Sequence, residues 1–169
     1  MKDEIEFWDI VNENDDVIGK ISENDKDYNP KQLRFINIII STSENKIIVP
    51  KRSGNRRIFP NCYDFSVGGH VNSGEDYETA AYRELKEELN IEDVELEEIG
   101  YFNPYKSNMN TFFKLYGLKY DKEIIDYDKD GITDIYYFTI EEIEKLLKKE
   151  PNHFKDDYVK VIQYIKDRN

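Results

Sequence analysis

The chain has 169 residues and a formal net charge of −12 at pH 7, and 38% of its residues are hydrophobic. This length and apolar content suit one folded domain, which we place over residues 1–169, because no repeat or low-complexity linker divides the chain. Its acidity argues against nucleic-acid and anionic-membrane partners, which need a cationic surface. The acidic N-terminus shows no signal-peptide pattern, and the single cysteine, Cys62, cannot form an internal disulfide. We therefore expect a cytoplasmic protein.

The first third of the chain is rich in strand signals. Two short runs with a turn between them predict a β-hairpin at about residues 5–21. Residues 22–31 are polar and are predicted to form a loop. A continuous β-branched run at residues 33–42 predicts a buried strand, and a second strand is predicted at residues 46–50.

A basic segment, KRSGNRR at residues 51–57, follows in this otherwise acidic chain. One interpretation is a solvated turn. The other is a site that binds phosphate or carboxylate, for which the planar guanidinium group is well shaped. Under that interpretation Arg52, which directly follows a predicted strand, and Arg57 are the candidate substrate-binding residues.

An acid-rich segment, GHVNSGEDYETAAYRELKEELNI at residues 69–91, comes next. Its helical part, at about 100° per residue, places Glu84, Glu87 and Glu88 on one arc. A neighbouring apolar stripe is predicted to be buried, and it consists of Ala81, Leu85 and Leu89. Three adjacent carboxylates repel one another, and a divalent cation relieves that repulsion. Mg²⁺ suits this arrangement because it prefers carboxylate oxygen and keeps waters for a phosphate-bearing substrate. The alternative is a solvated acidic face.

The loop before this helix carries further fixed positions. Gly69 and Gly74 are predicted to be turn residues at its two ends. Arg83 lies outside the acidic arc, and we predict that it reaches back to Glu75 and pins the loop against the helix.

The last part of the chain alternates strands and helices. Strands are predicted at residues 94–102, 111–120 and 134–138. A capping box then opens the first of the C-terminal helices, which span about residues 140–167. The chain is therefore predicted to have an α+β fold. The aromatic residues of the two longer strands are expected to be mostly core residues, with one or two available to stack on a nucleobase: Tyr101, Phe102, Phe112, Phe113 and Tyr116.

The segment at residues 69–91 resembles the Nudix box, G-x5-E-x7-R-E-U-x-E-E-x-G-U, in which U is a bulky aliphatic residue. Every defined position matches except the final glycine, which is Asn90 here, and Asn tolerates the left-handed conformation common after a helix. Residues 60–71, PNCYDFSVGGHV, and the Arg52–Ser53 pair resemble a subgroup similar to isopentenyl-diphosphate isomerase. The resemblance implies an α/β/α sandwich with a mixed sheet and the box helix packed on it.

The same resemblance implies an enzyme that uses Mg²⁺ or Mn²⁺ to cleave the pyrophosphate bond of a nucleoside diphosphate linked to another moiety, or of a similar organic diphosphate. It implies that Glu84, Glu87 and Glu88 bind the metal together with the carbonyl of Gly69. Glu87 or Glu88 would also be the general base. The substrate stays open among dinucleoside polyphosphates, ADP-ribose-like sugars, modified nucleoside triphosphates and prenyl or small-molecule diphosphates, because the loops that select it differ between members of one fold.

Four further positions follow from the resemblance. Glu75 and Arg83 are predicted to orient the catalytic set. His70 matches a family histidine position and is a candidate substrate-binding residue, the alternative being a hydrogen-bonded loop histidine. Many members carry an acid just before the strand predicted at residues 134–138. That position is Gly131 here, so Asp128 and Asp130 are the candidates to replace it.

Two alternatives remain open. Isopentenyl-diphosphate isomerase has the same fold, but its proton-donating cysteine would fall at Val67 or Gly68, and Cys62 lies several residues too early. The isomerase also needs a cluster of histidine ligands, and this chain has two histidines. The second alternative is a Nudix module that binds a ligand or protein without catalysis. Such modules usually lack one or more box glutamates, and all are present here.

Overall fold

Eight strands and three helices make up the computed structural model, which describes residues 5–25 and 27–168. In chain order they are β1 (Phe7–Val11), β2 (Val17–Ser22), β3 (Arg34–Ser41), β4 (Ile47–Arg52), β5 (Val67–His70), α1 (Tyr77–Leu89), β6 (Glu97–Phe102), β7 (Phe112–Lys119), β8 (Ile132–Phe138), α2 (Ile140–Lys149) and α3 (Tyr158–Arg168). Single 3₁₀ turns lie at Pro30–Gln32 and Pro151–His153. Within the described part of the chain, no helix has both the length and the apolar character needed to cross a bilayer.

The strands form a hairpin and a larger mixed sheet. β1 and β2 pair with each other in a two-stranded sheet, whereas the larger sheet has the order β6-β7-β3-β4-β8, with β5 also paired to β3. β3 runs parallel to β7 along its whole length and antiparallel to β4 and β5. The α+β fold predicted from the sequence is confirmed.

The sheet is buried on both faces, which explains the continuous β-branched run in β3. Ile36, Ile38 and Ile40 pack on one face, against α1. Ile39 lies on the other face, in a cluster that includes residues of α2 and α3. Successive side chains of a strand point to opposite faces, so one strand supplies both cores. The predicted three-layer sandwich is therefore confirmed.

The position of β5 is set by a gap between strands β3 and β4. β3 and β4 pair at Ser41 and Ile47 and then diverge. The Ser66 hydroxyl bridges the gap, because it accepts from Ile40 N at 2.8 Å and donates to Ile48 O at 2.6 Å. β5 then occupies the remaining edge of β3, where residues 67–70 pair with residues 35–38.

The prediction that Gly69 is a turn residue was wrong, because it lies inside β5. Gly74, by contrast, has φ of +86° and forms a turn. A close contact explains the glycine in the strand. A Cβ atom at Gly69 would lie 2.2 Å from the Glu84 carboxyl carbon, so any side chain would collide with that glutamate.

One carboxylate of the hairpin contacts both the larger sheet and α1. Asp15, at the hairpin turn, has φ of 68° and is mostly buried. It accepts hydrogen bonds from Arg34 Nε at 2.6 Å, Tyr77 Oη at 2.9 Å and Tyr101 Oη at 3.0 Å. Tyr101 therefore helps to dock the hairpin, while the other aromatic residues of β6 and β7 named above are buried as predicted.

Candidate active site

Helix α1 carries the acidic arc, and its ends and buried face fix its orientation. Asp76 caps the N-terminus by accepting from Thr79 N at 2.7 Å. Asn90 ends the helix in the left-handed conformation, with φ of 49° and ψ of 39°, as predicted for the residue that replaces glycine. The predicted apolar stripe is buried against the sheet: Ala81, Leu85 and Leu89.

Two of the three glutamates of the acidic arc lie against the backbone of β5. The Glu84 side chain is buried and occupies the space left by the missing side chain of Gly69. Glu88 is partly buried and accepts from Gly68 N at 3.3 Å. Glu87 is exposed. The glycines of β5 thus allow the strand to approach the acidic face of the helix.

Arg83 connects this face to the preceding loop. Its guanidinium donates to both oxygens of Glu75, at 2.7 and 2.9 Å, so the contact predicted from the sequence is present. It also donates to Glu84 Oε1 at 2.7 Å and to the carbonyl of His70 at 2.9 Å. One side chain therefore joins the loop, strand β5 and the box helix.

The two carboxylates Glu75 and Glu88 lie in opposite electrostatic surroundings. Partial burial acts to raise the pKa of Glu75, but hydrogen bonds from Arg83 and the Asn72 N–H lower it overall. At Glu88, burial and the nearby charges of Glu84 and Asp64 raise the pKa to about 8. Glu88 is therefore a carboxylate that needs additional positive charge to ionise at neutral pH.

A cavity of about 580 Å³ opens in front of the acidic face. Three segments form its wall: the basic loop, α1 with Asn90, and the residues before β8. Its lining residues are Arg56, Glu84, Lys86, Glu87, Glu88, Asn90, Asp126, Tyr127, Asp128 and Asp130. The structure thus brings the three box glutamates together with both acids proposed to replace the one missing at Gly131.

Arg56 is the residue of the basic loop that lines this cavity. Its Nη2 lies 3.2 Å from Asp128 Oδ2, and its Nε donates to the carbonyl of Gly131 at 3.4 Å. Sequence reasoning recognised the basic loop but selected Arg52 and Arg57 within it.

Arg52 and Arg57 differ from Arg56 in their placement. The Arg52 guanidinium donates to the carbonyls of Ile58 and Phe59 and forms an ion pair with Asp64 at 2.7 Å. It therefore supports the loop from within. Arg57 is exposed. The cavity lining includes neither residue, and their contact with substrate stays a prediction.

His70 lies outside the cavity lining as well. Its ring stacks on Trp8, with 3.7 Å between ring centroids and an interplanar angle of 6°, and lies 4.3 Å from the Phe35 ring centroid. Burial and the nearby cations Lys155, Arg57 and Arg83 lower the pKa of His70 to about 3. The imidazole is therefore neutral, and its role in substrate binding also stays a prediction.

Lys155 is a cation near the site that sequence reasoning missed. Its Nζ lies 3.3 Å from Asp64 Oδ1, and both Nζ and Asn37 Oδ1 border the space beside the Cα of Gly68. Burial acts to raise the pKa of Asp64, but Lys155 and Arg52 lower it overall. Lys155 precedes α3 and no local pattern marks it, so only the folded chain reveals its position.

Gly68 also bears on the isomerase alternative. At one of the two positions where that enzyme's cysteine would fall, the structure places Asn37 and Lys155 around a glycine. The thiol of Cys62 is buried and faces the carbonyl of Asn152 at 3.7 Å, and burial raises its pKa. That position therefore holds no thiol.

The oxygen atoms around β5 and α1 fit a hard divalent cation. In residues 5–25 and 27–168, no three His, Cys, Asp or Glu side chains are already arranged as a metal site. Mg²⁺ requires fewer, because it commonly binds one or two carboxylates and completes its coordination with water and substrate phosphate. The partly buried Glu88, whose pKa is raised beside Glu84, and the exposed Glu87 provide such carboxylates.

A family model described as NUDIX domain matches residues 31–158. The chain belongs to the Nudix hydrolases. The Nudix match spans the basic loop, the whole of α1, the segment before β8 and Lys155, so every part of the cavity wall lies within it.

The similarity to Nudix proteins extends over nearly the whole chain. An uncharacterized Nudix hydrolase of Nostoc sp. is 40% identical over 167 residues, which cover 96% of this chain and 97% of the relative. A crystal structure of a Deinococcus radiodurans protein aligns with a TM-score of 0.89 and 31% identity, covering 94% of this chain and 98% of that one. A prenyl-diphosphate phosphatase of Methanosarcina mazei is 28% identical over 148 residues, or 85% of each chain.

Proposed function

We propose that this Nudix hydrolase depends on Mg²⁺ or Mn²⁺ and cleaves the pyrophosphate bond of a nucleoside diphosphate linked to another moiety, or of a similar organic diphosphate. The observation that carries the proposal is the cavity in front of α1. Glu84, Glu87 and Glu88 border it on one side, and Arg56 borders it with Asp128 on another. Carboxylates for a metal and a guanidinium for phosphate thus line one space.

The three glutamates would bind the cation, with the carbonyl of Gly69 as a further ligand. The cation, when bound, neutralises charge on the diphosphate and lowers the pKa of the attacking water. Glu87 or Glu88 accepts the proton of that water. Arg83 holds Glu84 in place at 2.7 Å, so its part is to orient a ligand rather than to contact substrate.

Arg56 is the proposed phosphate contact from the basic loop. A guanidinium binds phosphate oxygen through directed, charge-assisted hydrogen bonds. It is also the loop cation that stands on the cavity wall. Arg52 and Arg57 remain predicted contributors to the positive field of the loop, as does His70 as a substrate contact.

The wall beyond the glutamates indicates the kind of moiety attached to the diphosphate. Apart from Lys86 and the ion pair of Arg56 with Asp128, it consists of Asn90, Asp126 and Asp130, with Tyr127 as the aromatic residue of the described lining. Carboxylate and amide oxygens accept hydrogen bonds from hydroxyl and amino groups. This wall favours a polar moiety such as a sugar or nucleoside, although the relative from Methanosarcina mazei is named for prenyl diphosphates.

A substrate panel tests the proposal. ADP-ribose, a dinucleoside polyphosphate, a modified nucleoside triphosphate and isopentenyl diphosphate are each incubated with Mg²⁺, with Mn²⁺ and with excess EDTA, and the products are identified by mass spectrometry. We expect cleavage within the pyrophosphate of at least one polar compound, and no cleavage with EDTA. Activity that persists in EDTA would refute the metal requirement.

The same panel separates the alternatives. Isopentenyl diphosphate in deuterated water should yield no deuterated dimethylallyl diphosphate, because no cysteine stands at Val67 or Gly68. Binding of a panel compound without any cleavage would instead indicate a module that only binds ligand.

A further inference from the structure

Gly131 lies beside the cavity, immediately before β8, and its missing side chain leaves space for an ion pair. A Cβ atom there would lie 1.9 Å from Arg56 Nη2 and 2.3 Å from Asp128 Oδ2. Among the described glycines, Gly74 is the one with positive φ, so the backbone at residue 131 does not itself require glycine. The glycine is therefore explained by the two charged groups that occupy its side-chain space.

The Arg56 guanidinium is hydrogen-bonded on one side and accessible on the other. Nη2 contacts Asp128 and Nε donates to the Gly131 carbonyl. Nη1 has no hydrogen-bond partner among the residues that the structure describes. About a third of each charged side chain, 37% for Arg56 and 33% for Asp128, is exposed. The guanidinium thus presents donors to the cavity while its other nitrogens are fixed.

Asp128 is itself fixed by the turn before β8 and by the box helix. Its N–H donates to the carbonyl of Glu88 at 2.9 Å, and its own carbonyl accepts from Ile132 N at 2.8 Å. One carboxylate oxygen, Oδ1, accepts from Asp130 N at 3.1 Å, while Oδ2 faces Arg56. Both oxygens already have partners, which suits a structural anchor better than a group that must accept a proton from water.

We propose that Asp128 is a positioning residue that holds Arg56 in the orientation in which it binds a substrate phosphate, and that Gly131 provides the space in which this pair forms. The inference rests on the proposed diphosphate hydrolysis. It also assigns a different role to Asp128 than that of a base replacing the acid missing at Gly131, because here Asp128 acts through Arg56.

Gly131→Ala tests the pair without removing either charge. The added methyl group collides with flexible side-chain ends, so the fold is retained while Arg56 and Asp128 are pushed apart. Gly117→Ala, in β7, is the matched control, because its added Cβ would lie 3.6 Å from the nearest atom, an ordinary contact. We expect Gly131→Ala to raise KM about 3- to 10-fold with kcat within about twofold, and Gly117→Ala to change neither.

Charge removal gives the second test. Arg56→Ala should raise KM about 10- to 100-fold, the effect of losing a charge-assisted hydrogen bond. Asp128→Asn should raise KM about 3- to 10-fold alone, yet add nothing in the Arg56→Ala background. Lys46→Ala is the matched control for a lost cation, because Lys46 lies at the opposite end of β4 from the basic loop.

Two readouts are combined for all variants. KM and kcat are measured on the panel compound that the wild type cleaves fastest. Binding of methylenediphosphonate, a diphosphate analogue that is not hydrolysed, is measured by calorimetry with Mg²⁺ present. The affinity for this probe should fall in the same order as KM rises, and thermal melts of each variant check that the fold is intact.

The outcomes separate this inference from the proposed function. A wild type that cleaves no panel compound and does not bind methylenediphosphonate refutes both. If the wild type is active but Gly131→Ala matches Gly117→Ala, or if the wild type does not bind the probe, the inference alone fails. A loss of kcat in Asp128→Asn that persists in the Arg56→Ala background would likewise overturn it and make Asp128 a base.

Discussion

The raised pKa of Glu88 predicts that removing its charge stabilises the metal-free protein in a pH-dependent manner. Burial, then the charges of Glu84 and Asp64, raise that pKa from 4.5 to about 8. Between these two values the folded chain retains a proton that the unfolded chain releases, so stability decreases as pH rises from about 4.5 to about 8. The glutamine side chain in Glu88→Gln cannot ionise, so this variant should not lose stability over that pH range.

The size of the effect follows from the same two values. At about 1.4 kcal/mol per pKa unit, the difference between 4.5 and about 8 gives an upper limit of about 5 kcal/mol. The Glu88 side chain is partly exposed, so solvent screening reduces this figure, and we expect about 2 to 4 kcal/mol at pH 8. At roughly 2–4 °C per kcal/mol for a chain of this size, Tm should rise by about 4 to 16 °C.

The assay is a pair of thermal melts in EDTA, at pH 5 and at pH 8, for the wild type and Glu88→Gln. The variant should be clearly more stable at pH 8 and nearly equal to the wild type at pH 5. Glu87→Gln is the control, because this neighbouring glutamate of the same helix is exposed and should show little difference at either pH. An equal gain from Glu88→Gln at both pH values would refute the reasoning.

Three further predictions concern activity and the attachment of loops. Glu87→Gln and Glu88→Gln should each lower turnover with Mg²⁺ by roughly 10²- to 10⁴-fold, and near-wild-type turnover in both would mean that the arc is only a solvated face. Arg83→Ala should reduce turnover and also cost about 2–4 kcal/mol in a denaturant melt, since it releases Glu75; a loss of turnover with unchanged stability would contradict this. Asp15→Ala should lower the free energy of unfolding by about 2–4 kcal/mol and expose the hairpin turn to limited proteolysis. Asp15→Asn should cost less, because Asn tolerates the positive φ at this position. If the hairpin turn is equally protected from proteolysis in both variants, Asp15 is not the anchor.

The features of the box helix that could be predicted from the sequence depend on local spacing. The arc of glutamates, the buried stripe and the left-handed Asn90 all follow from positions a few residues apart on one helix. The contact of Arg83 with Glu75 is nearly as local, because it spans eight residues. Helical geometry alone brings such groups together, so no knowledge of the rest of the chain was needed.

Strand β5 could not be predicted in the same way. Its sequence, VGGH, contains two glycines and lacks the run of β-branched residues that marks a strand. It becomes a strand because the divergence of β3 from β4 leaves an unpaired edge, and because the Glu84 carboxyl group needs the space of Gly69. Both causes depend on tertiary contacts, so the sequence alone suggests that Gly69 is a turn glycine.

The partners of the basic side chains could not be predicted from the sequence for a similar reason. The basic character of segment 51–57 is visible in the sequence, but local spacing cannot distinguish Arg52, which bonds to nearby carbonyls, from Arg56, which lines the cavity. That difference depends on Asp128, 72 positions further along the chain. Lys155 reaches Asp64 across a comparable distance in sequence.

The parallel pairing of β3 with β7 has a consequence for the order in which the protein assembles. Arg34 pairs with Phe112, so β5 and α1 both lie inside the long loop that this pairing closes. Closing such a loop costs chain entropy before its contacts form, which makes non-local parallel pairing a slow step in folding. The helical turns of α1 rely on local bonds and can form early. The glutamates reach Gly68 and Gly69 only once β5 is seated on β3, so in refolding the recovery of activity should lag behind the recovery of helical signal.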